Sequence, residues 1–280
     1  MNTKQSLALW GLKWNPFSTD VPSEGLVSTK KVEHFCWKVE NLVLDGGCAA
    51  ITGESGVGKS VALRQLAERL GAMRDLTVAE FTRPQSGTAD FYRELGSLFG
   101  VELRVSNRWG GFKALREKWQ AHIAAILCRP VLLIDEAQEM QPAALNELRL
   151  LSSAHFDSQI ILTTVLAGDD RLNEKFKLPE LIPFGKRLKA RLALEPWSKD
   201  ELAMLLTESM KHAGAPRLMT TELVATLVEH ALGSPRILMN MANELLMLGA
   251  KRELKQLDEK LYLEAFSLDV APRVKKRQAA

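Results

Sequence analysis

The stretch CAAITGESGVGKSVALRQL, Cys48 to Leu66, runs from a short apolar segment through a glycine-rich turn into an amphipathic helix pattern. Within it, Gly53-Glu54-Ser55-Gly56-Val57-Gly58-Lys59-Ser60 fits G-x-x-x-x-G-K-[ST], a spacing that asks for a strand, a tight curl and a helix in immediate succession. The glycines let consecutive N–H groups face inward at the positive end of the following helix, which makes a cradle for phosphate. Lys59 would reach the β- and γ-phosphates of ATP, and the Ser60 hydroxyl would ligate Mg2+. Val61, the next residue, is assigned to the same phosphate-binding stretch. Taken alone, the loop also reads as an ordinary strand–turn–helix connection.

A second stretch decides between these readings. PVLLID, residues 130–135, is a continuous apolar run of the kind found in parallel sheets covered on both faces. It places Asp135 at a strand's carboxyl end, where it can join the Mg2+ shell, and Glu136 beside it, where it can polarise an attacking water. A further strand, LTVAEFT at 76–82, intervenes in the sequence. It suggests that the phosphate strand and the Asp135 strand are not neighbours in the sheet, as in ATPases that pair a catalytic glutamate with the metal aspartate.

The remaining patterns extend this plan. Apolar strands are expected at 49–52, at QIILTTVLAG (159–168) and at ARLALEP (190–196), alternating with helical spacings that follow the loop, run from Phe91 to Phe99, begin at Phe112, and follow Pro142. Strands alternating with helices mean a doubly wound α/β domain, assigned to residues 1–195 together with an N-terminal extension. SKDE then forms a capping box, Ser198 with Glu201, and opens four helical patterns at 199–212, 221–231, 236–249 and 258–266. These make a small helical domain over 196–270, and residues 271–280 form a basic tail expected to be flexible.

Composition excludes several classes. The 280 residues are 46% apolar and 25% charged, an ordinary globular balance, and the net charge of +3 permits a nucleic-acid partner without requiring one. Cys36, Cys48 and Cys128 are odd in number and show no C-x-x-C spacing, so they read as buried thiols rather than a disulfide framework. The five histidines are scattered, which argues against a histidine metal site. No signal-peptide pattern opens the chain, and no apolar run approaches the roughly 18 residues of a membrane helix. The expectation is a cytoplasmic protein with no membrane contact.

WGLKWNPF, GESGVGKS, VLLIDEAQEM, VLAGDDRL, GKRLKARL and GSPR together resemble the AAA+ ATPases, and within them the group of the secretion ATPase ExeA and the transposition ATPases TniB and TnsC. The resemblance spans almost the whole chain. It implies an AAA+ P-loop NTPase with a five-stranded parallel core and a small helical lid, active as a homo-oligomer, ring or filament. It places Asp169 at a polar sensor position where relatives carry a neutral side chain. It makes Arg187 and Arg191 the candidates for an arginine finger reaching a neighbour's γ-phosphoryl, Arg187 favoured, and gives Arg236 of GSPR to the nucleotide as a second sensor. For a transposition helper it implies duplex contacts through Arg83, Arg104, Arg108 and Lys113, with Trp109 among them; an exposed helix face with one packing residue would look the same. The tail residues Arg273, Lys275, Lys276 and Arg277 are further candidates for DNA or a transposase. The absence of a membrane span after the ATPase favours transposition over secretion-machine assembly, the alternative. A nucleotide-gated module that hardly hydrolyses ranks third.

Overall fold

The computed structural model describes residues 3–102, 108–126, 128–155 and 158–267. Helices α1 (Thr3–Trp10) and α2 (Lys30–Asp45) precede β1 (Cys48–Gly53), α3 (Lys59–Gly71), β2 (Leu76–Phe81), α4 (Thr88–Leu98), α5 (Arg108–Ile126) and β3 (Arg129–Ile134). Next come α6 (Pro142–Leu151), the two-residue strands β4 (Ser153–Ala154) and β5 (Gln159–Ile160), and β6 (Thr163–Gly168). The short helices α7 (Asp170–Lys175) and α8 (Ile182–Gly185) lead to β7 (Leu188–Leu194). Four helices follow: α9 (Lys199–His212), α10 (Thr221–His230), α11 (Pro235–Lys251) and α12 (Glu259–Ser267).

The chain divides into two units, one of Ser28–Glu195 and one of Met1–Val27 with the segment from Pro196 onward. In the first, five strands pair in parallel in the order β2-β3-β6-β1-β7, with Leu133 opposite Val165 and Ala50 opposite Leu166. Alternate side chains feed two separate cores. Leu132, Ile134 and Leu166 pack with α4, α5 and α6 on one face, while Val131, Leu133, Val165 and Ala167 pack with α2 and α3 on the other. Burial on both faces is why these strands read as unbroken apolar runs rather than alternating ones.

Several features differ from the sequence reading. Helix α2 had no counterpart there. Thr29 caps it by accepting from the Val32 N–H at 3.3 Å, Val32, Phe35, Cys36, Val39 and Val43 form its buried stripe, and Gly46 ends it at φ 78°. QIILTTVLAG is two strands instead of one, because the Ile161 N–H turns to the Ser152 carbonyl at 2.8 Å and β5 pairs antiparallel with β4 before β6 begins. Cys36 and Cys48 are buried as expected, but Cys128 is partly exposed, since it lies in the connection just ahead of β3.

In the second unit the capping box forms: the Glu201 N–H donates to Ser198 Oγ at 3.2 Å and the Ser198 N–H to Glu201 Oε2 at 2.8 Å. Leu202, Leu206, Leu223, Leu227, Leu238 and Leu245 fill its core. The N-terminal segment, attached above to the α/β domain, is part of this unit. Leu12 and Phe17 are buried in the helical core, Trp10 Nε1 donates to the Leu254 carbonyl at 2.9 Å, and Asn15 Nδ2 donates to Asn243 Oδ1 at 2.7 Å. Its aromatic and apolar side chains find cover there, which explains the grouping. The proposed tail lies outside the described residues. Among the described residues no helix is long and apolar enough to cross a membrane.

Candidate nucleotide site

Strand β1 lies between β6 and β7, so the loop after Gly53 emerges at the carboxyl end of the parallel sheet, where ligands of open α/β sheets bind. A Cβ on Gly53 would lie 2.3 Å from the Leu194 carbonyl oxygen at the end of β7, so only glycine fits there. Gly56 and Gly58 hold φ of 88° and 106°, the left-handed turn that brings the chain round into α3. Val57 anchors the loop in the core below, whereas Glu54, Ser55 and Ser60 are exposed and Val61 is 42% exposed. Gly58 stands at the N-cap of α3 with no side chain to cover the first amides of a 13-residue helix. The Lys59 ammonium is buried and donates to the carbonyls of Gly53 and Glu54, both at 2.9 Å. A cation inside the loop and a helix start left open by glycine suit a polyphosphate.

Strand β3 ends one residue before Asp135, and β6 separates it from β1, so the two are not neighbours, as the strand at 76–82 suggested. Asp135 Oδ1 accepts from the Glu136 N–H at 2.9 Å. Glu136 adopts φ 51° and ψ 37°, a left-handed conformation uncommon outside glycine, and turns the chain into a 3-10 segment, Ala137–Glu139. Ser60, Leu63, Arg64, Glu80, Asp135 and Glu136 line one cavity of about 450 Å³. Ser60 and both acidic residues predicted to serve Mg2+ and water thus line a common space. Among the described residues no group of three or more His, Cys, Asp or Glu could hold a metal unaided. A hydroxyl and a carboxylate, Ser60 and Asp135, are hard oxygen donors that would suit Mg2+ arriving with phosphate oxygens of its own.

Asp169 caps α7, with Oδ1 accepting from the Arg171 N–H at 2.9 Å and Oδ2 from Arg171 Nε at 2.9 Å. Arg171 Nη2 in turn donates to Glu139 Oε1 at 2.7 Å. Burial pushes the Asp169 carboxyl up, but the hydrogen bonds and charge of Arg171, with the charge of Lys59, outweigh it and hold the group below its ordinary value. An acid beside a phosphate site has here a guanidinium of its own.

Arg187 and Arg191 both engage carbonyls of their own chain. Arg187 Nη1 donates to the Arg149 carbonyl at 3.1 Å and lies 3.5 Å from Ser153 Oγ, while Arg191 Nη2 donates to the Gly185 carbonyl at 3.0 Å. Arg116 binds the Leu150 carbonyl at 2.9 Å and the Ser153 carbonyl, so two guanidiniums gather at the negative end of α6. Arg236 is the second residue of α11, in the helical unit, and is exposed. Its turn is built by Gly233, at φ 80°, whose carbonyl accepts from the Trp197 N–H at 2.8 Å.

Of the residues considered for DNA, Arg83 and Lys113 are exposed, and Lys113 pairs with Glu117 at 3.6 Å. Trp109 is 72% exposed and stacks on Phe112, with the Arg116 guanidinium over the Phe112 ring. Arg104, the side chain of Arg108 and the tail residues Arg273, Lys275, Lys276 and Arg277 lie outside the described residues. Two site residues escaped the sequence reading, Gln138 and Arg171. Gln138 carried one signal, a polar side chain amid DEAQEM between positions that bury, Ala137 and Met140.

Five parallel strands in this order, a glycine loop at the end of the fourth and paired acids after the second, make an α/β fold of the AAA+ P-loop type. Residues 43–176 match the family model described as AAA domain. Over 234 residues the chain is 28% identical to General secretion pathway protein A of Aeromonas hydrophila, an alignment covering 82% of this chain and 42% of that protein. The chain thus spans less than half of that relative's length. The Aeropyrum pernix ORC2 protein in its ADPNP-ADP complexes superposes with a TM-score of 0.71 at 15% identity, covering 90% of this chain and 71% of that one. The Aeropyrum pernix ORC1 protein in complex with DNA gives 0.66 at 13% identity, covering 91% and 68%. At these identities the likeness is one of fold.

Proposed function

We propose that the protein is an ATP-dependent ATPase that oligomerises on duplex DNA and recruits or activates a transposase. The observation that carries the chemistry is the cavity shared by Ser60, Asp135 and Glu136, beside a loop with Lys59 at its centre. Lys59 and the amides of residues 54–61 hold the phosphates, and Glu136 orients and polarises the attacking water. Ser60 and Asp135, together with phosphate oxygens, would hold Mg2+, which when bound would supply charge neutralisation at the phosphoryl group. Arg187 of a neighbouring protomer, or Arg191, steadies the charge that develops there, and Arg236 is the candidate second sensor. Support for DNA comes from exposed Arg83 and Lys113, the stacked Trp109 and Phe112, and a structural neighbour solved in complex with DNA.

The test is sedimentation or imaging with a non-hydrolysable ATP analogue, with and without duplex DNA. The expected result is nucleotide-dependent assembly on DNA, lost in Lys59→Ala together with ATP binding. Wild-type ATP affinity in Lys59→Ala would overturn the nucleotide site, and no association with duplex in any nucleotide state would overturn the DNA role. A second reading, assembly of a secretion machine, is favoured by the name of the Aeromonas relative. Oligomers that form with nucleotide and ignore DNA would point to it.

A further inference from the structure

Gln138 is 3% exposed, and each end of its amide is used. Its Nε2 donates to Glu136 Oε2, and its Oε1 accepts from the Asp169 N–H at 3.2 Å. One side chain therefore connects the carboxylate assigned to the attacking water with the junction of β6 and α7. The bridge is enforced from both sides. The left-handed backbone at Glu136 and the 3-10 turn after it return residue 138 to residue 136, and buried Ala137 and Met140 fix that turn in the core. Across the gap, a Cβ on Gly168 would lie 2.7 Å from Gln138 Oε1, so β6 must end in glycine for the amide to fit. A buried amide with both ends paired has one orientation, because reversing it would set N–H against N–H and oxygen against carboxylate.

We propose that Gln138 is a positioning residue for ATP hydrolysis: its amide aims the Glu136 carboxylate and ties that aim to the end of β6. Glu136 is itself exposed and follows an uncommon backbone conformation, so without the amide its side chain would sample several rotamers. A carboxylate displaced by about an ångström loses on the order of 100-fold in rate while phosphate binding at the loop stays intact. The inference rests on the assignment of Glu136 as the residue that polarises water.

The experiment is steady-state ATP hydrolysis by the full chain carrying Gln138→Leu, Gln138→Glu, Gly168→Ala or Glu136→Gln, with nucleotide affinity measured separately. Gln138→Leu is expected to lower kcat by about 10- to 100-fold with KM and nucleotide affinity within about 2-fold of wild type. Gly168→Ala leaves Gln138 in place but displaces its amide, and should reproduce the loss should Gln138→Leu fail to fold. Gln138→Glu retains an acceptor for the Asp169 N–H but removes the donor to Glu136 and sets two carboxylates together, so its kcat should fall with nucleotide affinity retained. In the Glu136→Gln background, Gln138→Leu should change residual turnover by less than about 2-fold, since the group it aims is gone. Unchanged kcat in Gln138→Leu and Gly168→Ala, while Glu136→Gln abolishes turnover, overturns the role of Gln138 alone. A Glu136→Gln enzyme that turns over normally overturns the underlying assignment instead.

Discussion

Glu136 combines two unusual properties, a left-handed backbone and a carboxylate directed to a buried amide, at the position where the sequence expects the group that activates water. Glu136→Gln keeps the shape and removes the charge. Turnover should fall by about 100-fold or more, leaving an ATP-bound oligomer, as single-turnover hydrolysis and sedimentation would show; a normal rate contradicts the role. Gly53 tests the loop in a different way. Its missing Cβ would lie 2.3 Å from backbone, which cannot swing aside as a side chain can. Gly53→Ala should therefore lower stability by about 1–3 kcal/mol in denaturant unfolding as well as weaken ATP binding. A fully stable variant would mean that the end of β7 moves freely.

At the scale of elements, α7 depends on its cap. Asp169 accepts from the Arg171 N–H and pairs with the Arg171 side chain, which holds its carboxyl below the ordinary 3.8. A carboxyl with a depressed folded-state value stabilises the protein above its unfolded value and ceases to do so as pH falls through the folded one. Asp169→Asn should thus melt at a lower temperature than wild type near neutrality, with the gap narrowing below about pH 4. A gap that stays constant down to pH 3 would show that the charge contributes nothing. The elements also separate what local pattern specifies from what it does not. The helices at 199–212 and following Pro142 were legible from a capping box, a proline at the first turn and apolar spacing. The break between β5 and β6 was not, because QIILTT is uniformly β-favouring and only the pull of the Ser152 carbonyl on Ile161 divides it.

At the scale of the whole molecule, the proposed arginine finger would act between protomers. Arg187 binds the Arg149 carbonyl at the end of its own α6, so replacing it also removes a local hydrogen bond of about 1 kcal/mol. Arg187→Ala should nonetheless retain nucleotide binding and lose turnover, and mixtures with wild type should show rescue or poisoning across subunits. Activity that merely follows the wild-type fraction would exclude a role in trans. The loop, the two acids and the alternation of strands and helices were determined by sequence, because glycine curls, adjacent carboxylates and apolar runs each express a local requirement of chemistry or burial. The sheet order that sets β6 between the two motifs was only suggested there, and the packing of the N-terminal aromatics into the helical unit, the Arg171 partner of Asp169 and the Gln138 bridge were decided by tertiary structure alone. Such contacts join residues up to 244 positions apart, as Trp10 and Leu254 show, and a hydrogen bond between distant side chains leaves no periodicity in the chain that makes it.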